Sequence, residues 1–153
     1  MADRSVLFVC VSNAGKSVMA AGLMRQVAGP HIRVTSAGTH AKTAVNDLSA
    51  QVLAEVGVDI SDHQPTQLSG QMIDDADLVV IVGTQAHLDE VHPGTAIQRW
   101  DTDEPSLRGV DGIERMRIIR DDITMRVQAL ASNLSTAIAT PTGQSSRTNR
   151  RDG

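Results

Sequence analysis

Apolar and polar positions along the chain follow two rhythms, and each change of rhythm marks an element. Residues 5–10, Ser-Val-Leu-Phe-Val-Cys, form an almost unbroken apolar run of strand length. A run without polar alternation predicts a strand covered on both faces. The small polar stretch Ser12-Asn13-Ala14-Gly15 interrupts it. Over residues 17–27 the spacing becomes helical, with Val18, Ala21 and Leu23 or Met24 on one side, and Gly29-Pro30 closes the segment. Residues 32–36 predict a second strand, ended by Ala37-Gly38-Thr39. Residues 46–56 predict an amphipathic helix with Leu48, Val52, Leu53 and Val56 inward and Gly57 as its cap. Residues 68–76 predict a short helix. Residues 77–82 give the clearest strand, and 96–98 a fourth. Residues 111–137 predict a long helix with Met116, Ile119, Ile123, Val127 and Leu130 at helical spacing. Met116 and Met125 both read as core.

Strands alternating with helices predict an α/β fold, a three-layer αβα domain around a central four-stranded parallel sheet. The domain is placed at residues 1–137. Residues 138–153 read as a disordered tail, since from Pro141 onward apolar periodicity stops. Its Arg147, Arg150 and Arg151 either contact an acidic partner or are simply solvated. No internal repeat is visible.

Composition narrows the chemistry. The 153 residues suffice for one domain with its own core. The formal net charge of −4 argues against a nucleic-acid partner. The aromatics are Phe8 and Trp100 alone, so base-stacking platforms are nearly absent. No run approaches a membrane span, and the apolar run after Met1-Ala2-Asp3-Arg4 is too short for a signal segment. A membrane is therefore not expected, and a cytoplasmic location is. One cysteine, Cys10, excludes an internal disulfide and a Cys-rich zinc cluster. His87 and His92 stand near Asp89 and Glu90, but the spacing fits no zinc pattern, so no metal is expected. Twelve arginines stand against two lysines, Lys16 and Lys42.

Lys16 lies in the most informative stretch, Cys10-Val11-Ser12-Asn13-Ala14-Gly15-Lys16-Ser17. A buried strand ends, a loop of small residues turns, and a helix begins. Ligands of open α/β sheets bind outside the carboxyl ends of the strands. Backbone N–H groups of the loop and the helix N-terminus make an anion cradle there, to which Lys16 adds a charge. A thiol at the rim of that cradle meets the same donors and the Ser17 hydroxyl, all of which favour its thiolate. Read alone, Cys10 would be an inert small apolar residue at a strand end. The loop beside it makes it a candidate nucleophile. The nucleotide-binding pattern G-x-x-x-x-G-K-[ST] matches at Gly15, Lys16 and Ser17 only, with Cys10 replacing the first glycine. The strand at residues 77–82 ends in Gly83-Thr84 without a carboxylate for magnesium, so nucleoside triphosphate hydrolysis is not expected.

The segment resembles the C-x5-R-[ST] motif of low-molecular-weight protein tyrosine phosphatases and their arsenate reductase relatives. Asn13 stands at that family's loop-shaping asparagine. Ser36-Ala37-Gly38-Thr39 is similar to its S-A-G-T segment, and Asp59-Ile60-Ser61-Asp62-His63 to its D-I-S-x-H. Asp77-Leu78-Val79 is similar to the start of its third strand, Asp103-Glu104-Pro105 to its acid-proline loop, and Arg120-Asp121-Asp122-Ile123 to the R-D-E-I of its last helix. The resemblance spans about residues 5–135 and implies a low-molecular-weight phosphatase-like fold. It implies Cys10 as nucleophile, Lys16 and Ser17 as catalytic supports, and Asp103 or Glu104 as general acid. Val11, Ser12, Asn13, Ala14, Gly15, Lys16 and Ser17 would hold the oxyanion, arsenate or phosphate. Ser36 either supports the loop or is a plain strand-end polar residue, and His63 reads as structural. Related reductases hold a potassium ion through an acid of the first helix. Ala21 matches that position, so the ion is not expected.

Three departures decide between subgroups. Lys16 replaces an arginine, giving a point charge where a planar fork would suit a phosphoryl transition state. The loop, the segment Trp100-Asp-Thr-Asp-Glu-Pro105 and the segment Gly109-Val-Asp-Gly-Ile-Glu-Arg-Met-Arg117 after it resemble actinobacterial arsenate reductases that carry this lysine. The region 82–89 has no thiol, whereas thioredoxin-coupled relatives carry two cysteines there. The reducing thiol must then come from outside. The resembled subgroup takes it from mycothiol as co-substrate, with a mycoredoxin completing the reduction and no bound cofactor. Third, a phosphotyrosine slot has only Trp100 for an aromatic wall. The expectation is an arsenate:mycothiol transferase. A phosphatase on tyrosine or small phosphate esters and a non-catalytic oxyanion-binding module stay open beside it. Without the resemblance, Asp103-Glu104 would read as a solvated loop.

Overall fold

The structure, a computed structural model, describes residues 4–90 and 92–139. Its elements run β1 (Arg4–Cys10), α1 (Lys16–Val27), β2 (Ile32–Gly38), α2 (Asp47–Ala54), α3 (Gly70–Asp75), β3 (Leu78–Val82), β4 (Ala96–Trp100), a 3-10 turn (Pro105–Arg108) and α4 (Gly112–Ala139). The four strands form one parallel sheet in the order β2-β1-β3-β4. This is the expected three-layer αβα fold.

Side chains of a strand alternate between faces, so the unbroken run of β1 feeds two cores. Val6 and Phe8, with Val80 and Val82 of β3, pack under α1, α2 and α4. Leu7 and Val9, with Val79 and Ile81, face the other way with Ile73 of α3 and Ala86. Met116, Ile119, Ile123, Val127 and Leu130 of α4 are buried as their spacing predicts. From β1 the chain crosses to β2 on one side, while β3 lies on the other. Strand order thus reverses at the carboxyl end of β1, where α/β sheets open a crevice. Cys10 ends that strand.

Several boundaries differ from the sequence reading. β2 continues through Ala37 and Gly38, because Gly38 still pairs with Cys10. α2 stops at Ala54, and the turn through Gly57, at φ +81°, leaves Val56 exposed rather than inward. β4 extends to Trp100, and as an edge strand exposes four of its five residues, which is why its pattern is faint. Met125 is 69% exposed, not core, since it lies between Ile123 and Val127 on the opposite face of α4. α4 starts at Gly112 and reaches Ala139, past the helix end expected near 137. The basic tail with Arg147, Arg150 and Arg151 lies outside the described residues.

Candidate active site

The loop after β1 is shaped by its own carbonyl groups being tied down. Thr39 N–H donates to the Cys10 carbonyl at 3.0 Å, His40 to Val11 at 2.8 Å, Lys42 to Ser12 at 3.0 Å and Asn46 to Ala14 at 2.8 Å. Carbonyl oxygens would repel an anion, and these four are occupied by one neighbouring segment. The approach is so close that a Cβ on Gly38 would lie 2.6 Å from the Val11 carbonyl oxygen. Asn13 completes the turn in the left-handed region at φ 50°, which asparagine tolerates better than most residues.

Asn13 is fully buried and works from beneath the loop. Its Oδ1 accepts from Thr66 N–H at 2.8 Å, and its Nδ2 donates to Ser17 Oγ at 2.8 Å. Ser17 Oγ, having accepted that bond, lies 3.0 Å from Cys10 Sγ, a contact in which a thiol donates and a thiolate would accept. The N–H groups of Asn13 and Ser17 reach the same sulfur at 3.3 and 3.4 Å. Two backbone N–H groups and a hydroxyl thus converge on one sulfur. His63 braces the far side: its Nε2 lies 3.2 Å from Asn13 Oδ1 and 3.3 Å from the Asn13 carbonyl oxygen. Both neighbours are acceptors, so that nitrogen carries the proton. Burial holds His63 below its ordinary value, opposed by the bond to Asn13 and aided by Arg25. Its structural reading stands on that contact.

Helix α1 starts at Lys16 without a side-chain cap and without an acid in its first turn. A cation at a helix N-terminus opposes the helix dipole, so this start is suited to an incoming anion. Lys16 Nζ lies 3.5 Å from Glu104 Oε1. It also passes over Gly83, whose φ of +94° and bare Cα leave it room: a Cβ there would sit 3.2 Å from Nζ.

Above the loop is a cleft of about 400 Å³, walled by Cys10, Val11, Ser12, Ala14, Gly15 and Lys16. Asn13 and Ser17 support this wall without lining it. Lys42 also lines the cleft, so both lysines of the chain face it. Met116 and Ile119 give it an apolar side, and residues 82–86, pinned by Arg99 to the Gly83 and Ala86 carbonyls at 2.8 Å each, give another. That side holds no thiol. Ser49 of α2 lies on the wall beside Gly15, its buried Oγ without a hydrogen-bond partner.

The two candidate acids part company. Asp103 does not line the cleft: Arg108 grips it at 2.7 and 3.1 Å and holds it below the usual carboxylate range. Glu104 does line it. Arg115 grips both its oxygens, Nε to Oε2 at 2.8 Å and Nη2 to Oε1 at 3.0 Å, and Ser106 Oγ donates at 2.8 Å. Those bonds, Arg115 foremost, hold the Glu104 carboxyl down to about 2. Asp103 is thus held outside the cleft, and Glu104 reaches it as a carboxylate paired to Arg115. Trp100 is not a wall either. It packs against Phe8 with ring centroids 5.5 Å apart, so the cleft has no aromatic face. Among the described residues no cluster of His, Cys, Asp and Glu could hold a metal ion, and no helix is long and apolar enough to cross a membrane.

The model of the low molecular weight phosphotyrosine protein phosphatases matches residues 5–139. The chain belongs to that family. Within it, the chain is 32% identical over 114 residues, 67% of its length and 78% of the relative's, to a probable low molecular weight protein-tyrosine-phosphatase, EpsP of Ralstonia solanacearum. It is 28% identical over 137 residues to arsenate reductase 2 of Staphylococcus saprophyticus, covering 87% of this chain and all of that one. Among solved structures, the thioredoxin-dependent arsenate reductase Cg_ArsC1' of Corynebacterium glutamicum superposes with a TM-score of 0.74 at 31% identity. That match covers 89% of this chain, which spans 64% of that protein's length. The protein is thus an enzyme of the arsenate reductase and low-molecular-weight phosphatase type.

The sequence reading missed Arg115, Lys42 and Ser49. Arg115 sits in Glu114-Arg115-Met116-Arg117, inside a segment noted only for its resemblance to one reductase subgroup, where nothing marks one arginine from the other. Only the fold shows that one of those arginines turns to the cleft.

Proposed function

We propose that this protein is an arsenate reductase that works as an arsenate:mycothiol transferase. The observation that carries the reading is Cys10: one thiol, at the floor of an oxyanion cleft whose walls offer no second. Arsenate lies against the loop amides with Lys16 above it. The Cys10 thiolate attacks arsenic and an arsenate oxygen leaves as water. Mycothiol then attacks the arsenic, takes it as an arseno-mycothiol adduct, and frees Cys10. Arsenic is still pentavalent in that adduct. A mycoredoxin thiol attacks the mycothiol sulfur, arsenite departs with the electron pair, and a mixed disulfide remains. The site is expected to be cytoplasmic, where such thiols stay reduced.

The second reading, a phosphatase, gains from the same fact, because a phosphoenzyme route needs only one cysteine. Against it stand Lys16 in place of a fork, the two clamped carboxylates and the missing aromatic wall. Arsenate with mycothiol plus mycoredoxin, arsenate with thioredoxin, and an aryl phosphate form one assay set. Arsenite appearing only with mycothiol is the expected result. Arsenite with thioredoxin alone, or aryl phosphate turnover as the main activity, overturns it. Cys10→Ser should abolish every activity in the set.

A further inference from the structure

We propose that Arg115 sets the reaction preference of the cleft, by holding Glu104 as a clamp for Lys16 and withholding it as a proton donor. The inference rests on the oxyanion chemistry of Cys10 proposed above. Glu104 is the one carboxylate on the cleft wall in the segment before the 3-10 turn. Every charged group facing it is a cation: Arg115 across both oxygens, and Lys16 at 3.5 Å. Ser106 adds a third donor, and the neighbouring acid, Asp103, is itself bound to Arg108. A bidentate guanidinium fork is the strongest of the ordinary carboxylate contacts. A carboxylate so held gives Lys16 a fixed counter-ion and has no proton to hand to a leaving oxygen.

The consequence differs between substrates. Dihydrogen arsenate carries its own protons. When the thiolate forms the sulfur–arsenic bond, one arsenate hydroxyl leaves, takes the proton of the other, and departs as water. The product is the thiol-bound arsenate dianion, and no proton from the protein is consumed. An aryl phosphate has a second pKa of about 6 and is largely a dianion at neutral pH. Its leaving aryl oxide then needs a proton from the protein. Arg115 is therefore a positioning residue that favours the protonated oxyanion over the ester.

The test compares the native protein, Arg115→Leu, Glu104→Gln and the double variant on phenyl phosphate, whose phenoxide is too basic to leave without a proton, across the pH range, with urea midpoints confirming folding. Arg115→Leu should raise kcat about tenfold or more, within the range a general acid supplies. The gain should fall away on the alkaline side as Glu104 ionises, and should vanish in the double variant. Absence of any gain in a folded Arg115→Leu protein overturns the proposal. So does a gain that survives Glu104→Gln, or a native alkaline limb that Glu104→Gln removes. Arsenate turnover with mycothiol is read on the same preparations. Its absence in the native protein defeats the proposed activity while the aryl phosphate comparison still judges Arg115.

Discussion

Asn13 concentrates more of the site than any other single residue, since one side chain sets the loop's left-handed turn and ties it to Ser17 and Thr66. Two substitutions separate these tasks. Asn13→Gly keeps the backbone freedom and loses the amide, whereas Asn13→Ala loses both. The glycine variant should be more stable than the alanine one by about 1 kcal/mol, the cost of a left-handed alanine, and both should lose most activity. Urea unfolding of the pair checks the order, and alanine at least as stable as glycine would refute it. The brace behind Asn13 adds a pH signature. His63 in the folded protein is held below its ordinary 6.5 by burial, so the unfolded chain binds the proton more readily. Its share of stability is complete above 6.5, shrinks as pH falls through that value, and levels once the folded ring also protonates. Thermal midpoints of His63→Gln should lack this share of the acid-side decline. Cys10, Lys16 and Ser17 were legible because a strand, a loop of small residues and a cation at a helix start mark an anion loop, and Asn13 through the family motif that the loop resembles. Arg115 was not, since which of several surface arginines meets Glu104 depends on how α4 is rotated against the sheet.

At the scale of elements, the carboxyl end of β2 acts as the mould for the anion loop. The segment just past it occupies four loop carbonyls, and Gly38 allows the two backbones to touch. A Cβ at Gly38 would meet Val11 O at 2.6 Å and Asn13 N and Ser12 C at 2.8 Å, all backbone atoms that cannot swing aside. Gly38 does not adopt a positive φ, so alanine there costs nothing but the collision. Gly38→Ala should therefore leave the sheet intact and push the loop outward. The expected loss is about a hundredfold in kcat/KM, the scale of an ångström's misplacement. Circular dichroism with arsenate kinetics checks it, and near-native kinetics would show that β2 does not set the loop. The central strands were legible because apolar cover on both faces leaves unbroken runs. β4 and the 3-10 turn were fainter, because an exposed edge strand and a four-residue turn impose little pattern on their side chains.

At the scale of the whole molecule, the decisive quantity is electrons. Arsenate to arsenite is a two-electron step, and a disulfide formed from two thiols supplies two electrons. The 153 residues contain one sulfur able to take part, Cys10, with 152 other positions lacking a thiol. The fold places no substitute on the wall formed by residues 82–86, which Arg99 fixes from outside the cleft. Under the proposed function the protein would bind and activate arsenic, and its one thiol could not reduce it alone. With arsenate and no added thiol, the arsenite yield should be zero even at one protein per arsenate. With thiol and redoxin supplied, two external thiol equivalents should disappear per arsenite released. Cys10 should still accept one alkylating group per chain after many turnovers, because it is released reduced in each cycle. Arsenite determination beside mass-spectrometric counting of alkylated Cys10 reads both quantities. Stoichiometric arsenite without added thiol, or progressive loss of alkylatable Cys10, would mean that the electrons come from the protein, and the external-thiol account would fail.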